Sequence, residues 1–276
     1  MDQRPRRSIL YLPASRASAV AKARTLDCDC VILDLEDAVA PDAKTLARDA
    51  AAAALDDGWG HREVAVRVNA LGTSWSADDF AMVAQARPDA VVVPKLNSAA
   101  DAHAAVVAAE GVPVWAMIET PAGLLDAAAI AATPGVTALL AGFADLAADL
   151  RLRPDAARTP LHHAMSVIVT TARAANILAF DGVFVDLRDD AGLAAEAAQG
   201  VMFGFDGKTI VHPGQVGIVN AAFAPSAAEL EHARRLIAAH AAAATGVTTL
   251  DGRMVEVLHV AAAQHLLTRA AAILAR

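Results

Sequence analysis

The sequence predicts a single α/β domain, a closed (β/α)8 barrel of the TIM-barrel type with additional C-terminal helices. Short runs rich in Val, Ile and Leu alternate with Ala-rich amphipathic segments, with a period of about 25 to 30 residues. Eight such strand–helix pairs follow one another without a break in composition, which favours one closed barrel over two domains. An open doubly wound sheet is the alternative. It usually has a glycine-rich first turn, whereas the first turn here reads PASRAS.

The elements follow the apolar runs in order. Strands are predicted at 8–13, 30–36, 63–69, 90–96, 112–119, 136–143 and 179–186, with a short eighth strand inside 203–211. Helices are predicted at 15–26, 42–56, 76–86, 98–109, 121–132, 160–175, 189–200, 226–244 and 254–274, and the segment GVTTL at 246–250 is predicted to be a loop or a short extended piece. The whole chain, 1–276, is one domain in this prediction. Its part from about 224 to 276 is a helical extension expected to pack on a neighbouring subunit.

Composition and charge narrow the class of protein. The chain of 276 residues is 56% hydrophobic but only 4% aromatic, and its formal net charge is -8. Nucleic acids and anionic membranes require a basic surface, so neither is an expected partner. The apolar run SILYLP ends at Pro13 and is too short for a signal sequence. Cys28 and Cys30 are separated by one residue, which favours neither a disulfide nor a zinc site, so a reducing cytoplasm is expected.

Charged residues arrive at the C-terminal ends of the predicted strands. Side chains alternate across a strand, so Asp34 and Glu36 share the face of Ile32. By the same alternation Glu119 lies in line with Met117. The other strand-end charges are Asp37, Arg67, Lys95 (in line with Val91 and Val93) and Asp145. One such charge is usually a solvated strand end, but five strands together predict an active site at the barrel mouth.

Several roles can be predicted from the residue types. Glu119 and Asp145 are the expected metal ligands, since one or two carboxylates that leave room for water suit Mg²⁺. The alternative for Asp145 is an N-cap of the next helix. Arg67, with Asn69, is expected to bind a carboxylate or to form an internal ion pair with Glu36 or Asp37. For Lys95 there are two alternatives, pairing with the acids or facing a phosphate.

Seven segments in register resemble a known family. They are RRSILYLPASR, VILDLEDAV (with Lys44 and Arg48 following), VAVRVN, VVVPKL, AMIET, LLAGFADLAADL and GFDGKTIVHPGQV. Together they resemble the citrate lyase beta-subunit-like branch of the HpcH/HpaI aldolase superfamily, from Arg7 to the final helix. The resemblance implies a Mg²⁺-dependent lyase of CoA thioesters on a TIM barrel, commonly a homotrimer; a trimer or hexamer is therefore expected.

The resemblance also implies site residues. Glu119 and Asp145 would hold Mg²⁺ and, through it, the substrate, while Arg67 would bind the substrate carboxylate. Glu36 and Asp37 would order waters and the arginine. Arg16, Lys22 and Lys95 would contact CoA, although Arg16 and Lys22 equally suit a solvated helix face. Glu256 stands where relatives carry an aspartate, and it is a candidate acid/base group.

The implied reaction cleaves, or in reverse forms, a 2-hydroxy-acid CoA thioester, giving a keto acid and acetyl- or acyl-CoA. Malyl, citramalyl and citryl groups all remain open. One alternative is a metal-dependent pyruvate aldolase that does not use CoA. It is disfavoured because no histidine ends strands one to six. The other is a subunit that acts only within a citrate lyase assembly.

Overall fold

Eight parallel strands close into a barrel in the computed structural model, which describes residues 4–243 and 246–276. The strands pair in chain order, and the first pairs with the eighth. They are β1 (Ser8–Pro13), β2 (Cys30–Asp34), β3 (Glu63–Arg67), β4 (Ala90–Val93), β5 (Val114–Ile118), β6 (Val136–Ala141), β7 (Leu178–Asp181) and β8 (Gly207–Ile210). The predicted fold class is therefore confirmed.

Helices connect the strands and follow the last of them. They are α1 (Ala17–Ala23), α2 (Lys44–Asp56), α3 (Ser76–Ala86), α4 (Ala99–Ala108), α5 (Pro121–Leu125), α6 (Ala127–Ala131), α7 (Phe143–Asp149), α8 (His162–Ala174), α9 (Asp190–Phe203), α10 (Val216–Phe223), α11 (Ala227–Ala241) and α12 (Val257–Leu274). A hairpin of β9 (Val247–Leu250) and β10 (Arg253–Glu256) precedes α12.

Some predicted boundaries were wrong. The helix predicted at 121–132 is two helices that meet at Asp126. The short helices α7 and α10 were not predicted, and residues 254–256 belong to the hairpin rather than to the final helix. The predicted end of the penultimate helix at 244 lies outside the described residues.

Alternation along the strands divides the core into two layers. An inner cluster fills the barrel with side chains such as Ile32, Trp115 and Phe180, and the rings of the last two lie 5.2 Å apart. An outer cluster, which includes Val31, Leu33 and the aliphatic faces of the helices, packs between sheet and helices. The strand positions predicted to face the barrel interior in β2, β3 and β5 do so.

Two buried ion pairs hold the N-terminal end of the barrel. Arg6 pairs with Glu63 at the start of β3, and Arg7 Nε donates to Asp29 Oδ2 at 2.8 Å. Each carboxylate accepts more than one hydrogen bond from its arginine, which is the geometry that offsets the desolvation of a buried charge. These charges stabilise the end opposite to the strand ends that carry the predicted site.

The chain divides into two compact units, Arg6–Phe223 and a smaller unit formed by Ala224–Arg276 with the first five residues. In the smaller unit, α12 packs on α11 and on the hairpin. Among the described residues α12 is the one helix long and apolar enough to cross a membrane, by length and composition only. That this unit packs on a neighbouring subunit stays a prediction.

Both cysteines are free and buried, on opposite sides of the sheet. Cys28 lies in the outer cluster and Cys30 in the inner one. Burial raises the pKa of the Cys28 thiol to about 11, and burial with the neighbouring Glu63 raises the pKa of Cys30 as well.

We expect neither thiol to react with iodoacetamide in the native protein near pH 8, because the thiolate is the reacting form. Intact-mass measurement should show no adduct on the folded chain and two adducts in guanidinium chloride. A native adduct on either cysteine would contradict the packing described above.

Candidate active site

A cavity of about 510 Å³ opens at the C-terminal ends of the barrel strands. Its lining comes from the last residues of the strands or from the loops that follow them. The polar members are Tyr11, Arg16, Asp34, Asp37, Arg67, Glu119, Asp145 and Thr209. The volume is within the usual range for a small-molecule site, roughly 300 to 1,000 Å³. The structure thus brings the predicted charges together at one mouth.

Arg67 ends β3 and lies at the centre of the acidic cluster. Its Nε and Nη2 donate to the two oxygens of Asp34, each at 2.7 Å, and its Nη1 donates to Asp37 at 3.3 Å. Nη1 also lies 2.9 Å from Glu36 Oε2. Burial disfavours its charge, but the hydrogen bonds and charge of Asp34 raise the pKa of Arg67. A guanidinium has five N–H donors, so Arg67 retains donors for a bound carboxylate.

Asp34 explains the density of acids after β2. Its carboxylate grips Arg67 and also accepts the backbone N–H groups of Glu36 at 2.9 Å and Ala38 at 3.2 Å. Lys44 Nζ donates to the backbone oxygens of Leu35 and Glu36, each at 2.7 Å. The loop that carries Glu36 and Asp37 is therefore fixed from both sides, with Glu36 buried and the side chain of Asp37 exposed.

Glu119 follows β5 and is 3% exposed. Its Oε1 accepts the backbone N–H of Lys95 at 2.8 Å. A Cβ on Gly142 would collide with the Cβ of Glu119 and lie 2.7 Å from its Oε2, so only glycine permits this close approach. Burial, with the charges of Glu36 and Asp145, raises the pKa of Glu119 to about 7.

Asp145 lies in the first turn of α7 and lines the same cavity. The alternative interpretation of this residue as an N-cap is wrong, because Gly142 is the N-cap of α7. The helix begins two residues earlier than the ADL segment suggested. Asp145 is therefore a helical side chain at the cavity and is not needed to cap the backbone.

The residues at the mouth fit Mg²⁺. The described residues contain no cluster of three or more His, Cys, Asp or Glu arranged as metal ligands, but Mg²⁺ needs only one or two carboxylates. Two buried polar atoms in this cluster, Tyr11 Oη and Glu36 Oε2, have no hydrogen-bond partner among the described residues. Unmatched polar atoms and a carboxylate with a raised pKa indicate a cluster that a divalent cation and its oxygen ligands would complete.

Lys95 reaches the cluster by a route that alternation did not predict. Val91 and Val93, with which it was aligned, belong to the outer cluster. Lys95 instead has a left-handed backbone with φ 55°, and its Nζ lies 3.2 Å from Glu36 Oε1. Of the two alternatives, the structure shows pairing with the acids, and Lys95 is not among the residues that line the cavity. CoA binding by Lys95 stays a prediction.

We expect Lys95→Gly to unfold at higher urea concentration than Lys95→Ala. Both variants lose the pair with Glu36, but only alanine meets the left-handed penalty, about 1 kcal/mol. Equilibrium urea unfolding of the two variants measures the difference directly. Equal midpoints, or a more stable alanine variant, would contradict the conformation described for residue 95.

The remaining predicted residues have different placements. Arg16 is exposed and lines the cavity, whereas Lys22 is exposed on α1 and does not. Glu256 is the N-cap of α12 in the smaller unit, and its backbone N–H donates to His259 Nδ1 at 3.0 Å. Its acid/base role stays a prediction. The expected carboxylate contact of Asn69 was wrong, since Asn69 is buried and donates to Asp79 Oδ2 at 2.6 Å.

Sequence reasoning missed the aromatic and apolar wall of the cavity. Tyr11, the only tyrosine of the chain, places its ring 5.0 Å from Arg67 Cζ. Across the cavity the lining is apolar, from Leu12, Met117, Ala141, Phe143, Val183 and Val211. The signal for Tyr11 was available, because it lies one residue from Leu12 on a strand whose inward positions start at Ile9.

An eight-stranded barrel with two carboxylates and an arginine at its mouth defines a metal-assisted enzyme that acts on small carboxylic acids. The family model for HpcH/HpaI aldolase/citrate lyase matches residues 7–213. The chain belongs to this family.

Similar proteins were found both by sequence and by structure. A (3S)-malyl-CoA thioesterase from Cereibacter sphaeroides is 44% identical over 98% of this chain and 96% of its own length. The citrate lyase subunit beta of Escherichia coli is 34% identical over 97% of this chain and 94% of its own. The crystal structure of CitE from Mycobacterium tuberculosis with magnesium, acetoacetate and coenzyme A has a TM-score of 0.85 at 33% identity. It covers 98% of this chain and 100% of that one. The predictions of an enzyme of the lyase family and of the citrate lyase beta-subunit-like resemblance are confirmed.

Proposed function

We propose that this chain is a Mg²⁺-dependent carbon–carbon lyase that cleaves, or in reverse forms, a 2-hydroxy-acid CoA thioester. The observation that carries the proposal is one cavity in which Arg67 lies with the carboxylates of Glu119 and Asp145. An arginine fork recognises a carboxylate, and two hard oxygen ligands leave coordination positions for water and substrate. The solved relative was crystallised with magnesium, acetoacetate and CoA, which supports each part of the proposed ligand set.

Each residue has a stated task in this proposal. Glu119 and Asp145 hold Mg²⁺, which when bound supplies a Lewis acid for the oxygens of the hydroxy acid. Arg67 binds and orients the substrate carboxylate, and Asp34 keeps the guanidinium in a fixed plane. Glu36 and Asp37 hold the arginine from its other side and order water in the cluster. Glu256 or such a water is the proposed proton carrier.

Thioester hydrolysis is a second candidate, and one observation favours it. The malyl-CoA thioesterase is 44% identical to this chain, against 34% for the citrate lyase subunit. Both reactions begin from the same bound thioester. Cleavage of malyl-CoA gives acetyl-CoA and glyoxylate without water, whereas hydrolysis consumes one water and gives malate and free CoA.

Products separate the two candidates. The purified chain is incubated with Mg²⁺ and malyl-, citramalyl- or citryl-CoA, with glyoxylate trapped as its phenylhydrazone and free CoA measured with a thiol reagent. We expect keto acid and acetyl-CoA in equal amounts, and EDTA should abolish their release. Free CoA without keto acid would instead establish the thioesterase. Turnover without an acyl carrier protein would exclude a subunit that acts only in an assembly, and turnover of free pyruvate with an aldehyde would favour the aldolase.

We further propose a homo-oligomer, a trimer or hexamer, in the cytoplasm. The smaller unit exposes several large apolar side chains, which indicates a surface covered by another chain: Val247, Met254, Val257, Leu258 and Leu274. The substrates are CoA thioesters and the buried thiols are free, and both suit a reducing compartment. Light scattering of the purified chain tests the assembly, and a monomer at micromolar concentration would contradict it.

A further inference from the structure

A second group of buried charges lies beside the cavity and has no part in the proposed chemistry. Lys208, at the second position of β8, is completely buried, and so is Asp181, which ends β7. Lys208 Nζ lies 3.0 Å from Asp181 Oδ2 and 2.7 Å from Glu196 Oε1 on α9. Arg158 Nη1 lies 2.7 Å from Asp181 Oδ1. We name Arg158, Asp181, Glu196 and Lys208 the β7–β8 charge cluster.

The charges of this cluster balance, and its hydrogen bonds are satisfied. Two cations face two carboxylates, and Arg158 Nε also donates to Gln199 at 2.8 Å. Desolvating four charges is expensive, and apolar residues of equal volume stabilise a core at least as well as a buried ion pair. A cluster of this kind therefore calls for a role beyond stability.

The cluster holds one peptide from both sides. Lys208 Nζ donates to the carbonyl oxygen of Gly182, and Asp181 Oδ1 accepts the N–H of the same residue at 2.9 Å. All three protons of the Lys208 ammonium are thereby used, one of them on the backbone. The next residue, Val183, lines the cavity, and Thr209 beside Lys208 lines it as well.

That peptide touches the loop that carries a proposed metal ligand. A Cβ placed on Gly182 would lie 3.0 Å from the carbonyl oxygen of Ala141 and 3.0 Å from Phe143 Cδ2. The guanidinium of Arg158 lies 5.7 Å from the centre of the Phe143 ring, which is a second contact with the same segment. Phe143 begins α7, and Asp145 follows in its first turn. Contacts therefore run without interruption from Lys208 through Gly182 and Phe143 to Asp145.

We propose that Lys208 is a positioning residue: through Gly182, the β7–β8 charge cluster fixes the start of α7 and with it the place of the Asp145 carboxylate. The inference rests on the proposed function insofar as Asp145 binds Mg²⁺. Interactions that orient a metal ligand from outside typically change metal affinity about 10- to 100-fold when removed. Lys208 takes this role without touching metal or substrate.

Lys208→Met tests the proposal, because Arg158 still pairs with Asp181 and Glu196 while the clamp on Gly182 is lost. We expect the Mg²⁺ dissociation constant, measured by calorimetry, to rise about tenfold. Amide hydrogen exchange at residues 182–187 should become faster even without metal. Val83→Ala, which opens the outer cluster beside α3, is the control for lost stability and should leave both readouts unchanged.

Gly182→Ala is the second variant and decides the matter if Lys208→Met fails to fold. It leaves the charge cluster intact but pushes Ala141 and Phe143, so Mg²⁺ affinity should again fall. Wild-type affinity in a folded Lys208→Met or Gly182→Ala protein overturns the proposal. So does an equal loss in Val83→Ala. A wild-type chain that binds no Mg²⁺ would instead refute the proposed function, and the exchange measurement would still decide whether Lys208 holds the loop.

Discussion

Replacing Arg67 with lysine is expected to lower kcat/KM for the CoA thioester by about 100-fold or more. Lysine keeps the positive charge but cannot form the two parallel bonds that Nε and Nη2 make with Asp34. The ammonium would follow the acids, and the substrate carboxylate would lose an oriented partner. Initial rates of acetyl-CoA release over a range of thioester concentrations give the effect.

Arg235→Lys is the matched control for this variant. Arg235 pairs with Asp251 in the smaller unit, and its side chain is about half exposed, so the same substitution there should leave the rate unchanged. Circular dichroism and melting of Arg67→Lys exclude a folding defect as the cause. An Arg67→Lys enzyme that retains more than a tenth of the wild-type kcat/KM would show that charge alone suffices.

The barrel and the principal site residues could be predicted because their information is local. A period of two places Arg67 and Glu119 on inward faces, and the apolar-to-charged change along each strand gives the mouth. Side chains that obey this alternation, such as Asp34 in line with Ile32, were placed correctly. The short helices α7 and α10 were missed because each directly follows an apolar strand or a β8 motif and adds too few residues for a visible period.

Other features depend on contacts between distant segments. Lys95 departs from alternation because its backbone is left-handed, and no sequence rule predicts φ > 0 at a lysine. The β7–β8 charge cluster joins residues from a loop, two strands and a helix, so only the closed barrel makes Lys208 and Asp181 partners. Lys22 was expected beside Arg16, but one further turn of α1 takes it away from the cavity.

Replacing Glu119 with glutamine is expected to weaken Mg²⁺ binding by at least about 100-fold and to lower the rate of cleavage accordingly. Glutamine has the same shape and its oxygen can still accept the N–H of Lys95, so the variant removes the charge and little else. Titration calorimetry gives the affinity. Glu231→Gln, an exposed residue of α11, is the matched control and should behave as wild type. A Glu119→Gln protein with near-normal Mg²⁺ affinity would refute the assignment of this ligand.

The pH dependence of stability supplies an independent test of Glu119. Its pKa is raised to about 7 in the folded protein, from 4.5 for an unperturbed glutamate. Without metal, the folded chain therefore holds a proton that the unfolded chain releases between these values. The resulting stabilisation is complete below pH 4.5 and is lost as pH rises through 7. Mg²⁺ prefers the ionised carboxylate, so its own stabilisation should grow over the same interval. Unfolding experiments from about pH 5 to about pH 8 should thus show opposite trends with EDTA and with Mg²⁺. Both trends should be absent in Glu119→Gln; if the variant keeps them, another group titrates and Glu119 does not govern the metal site.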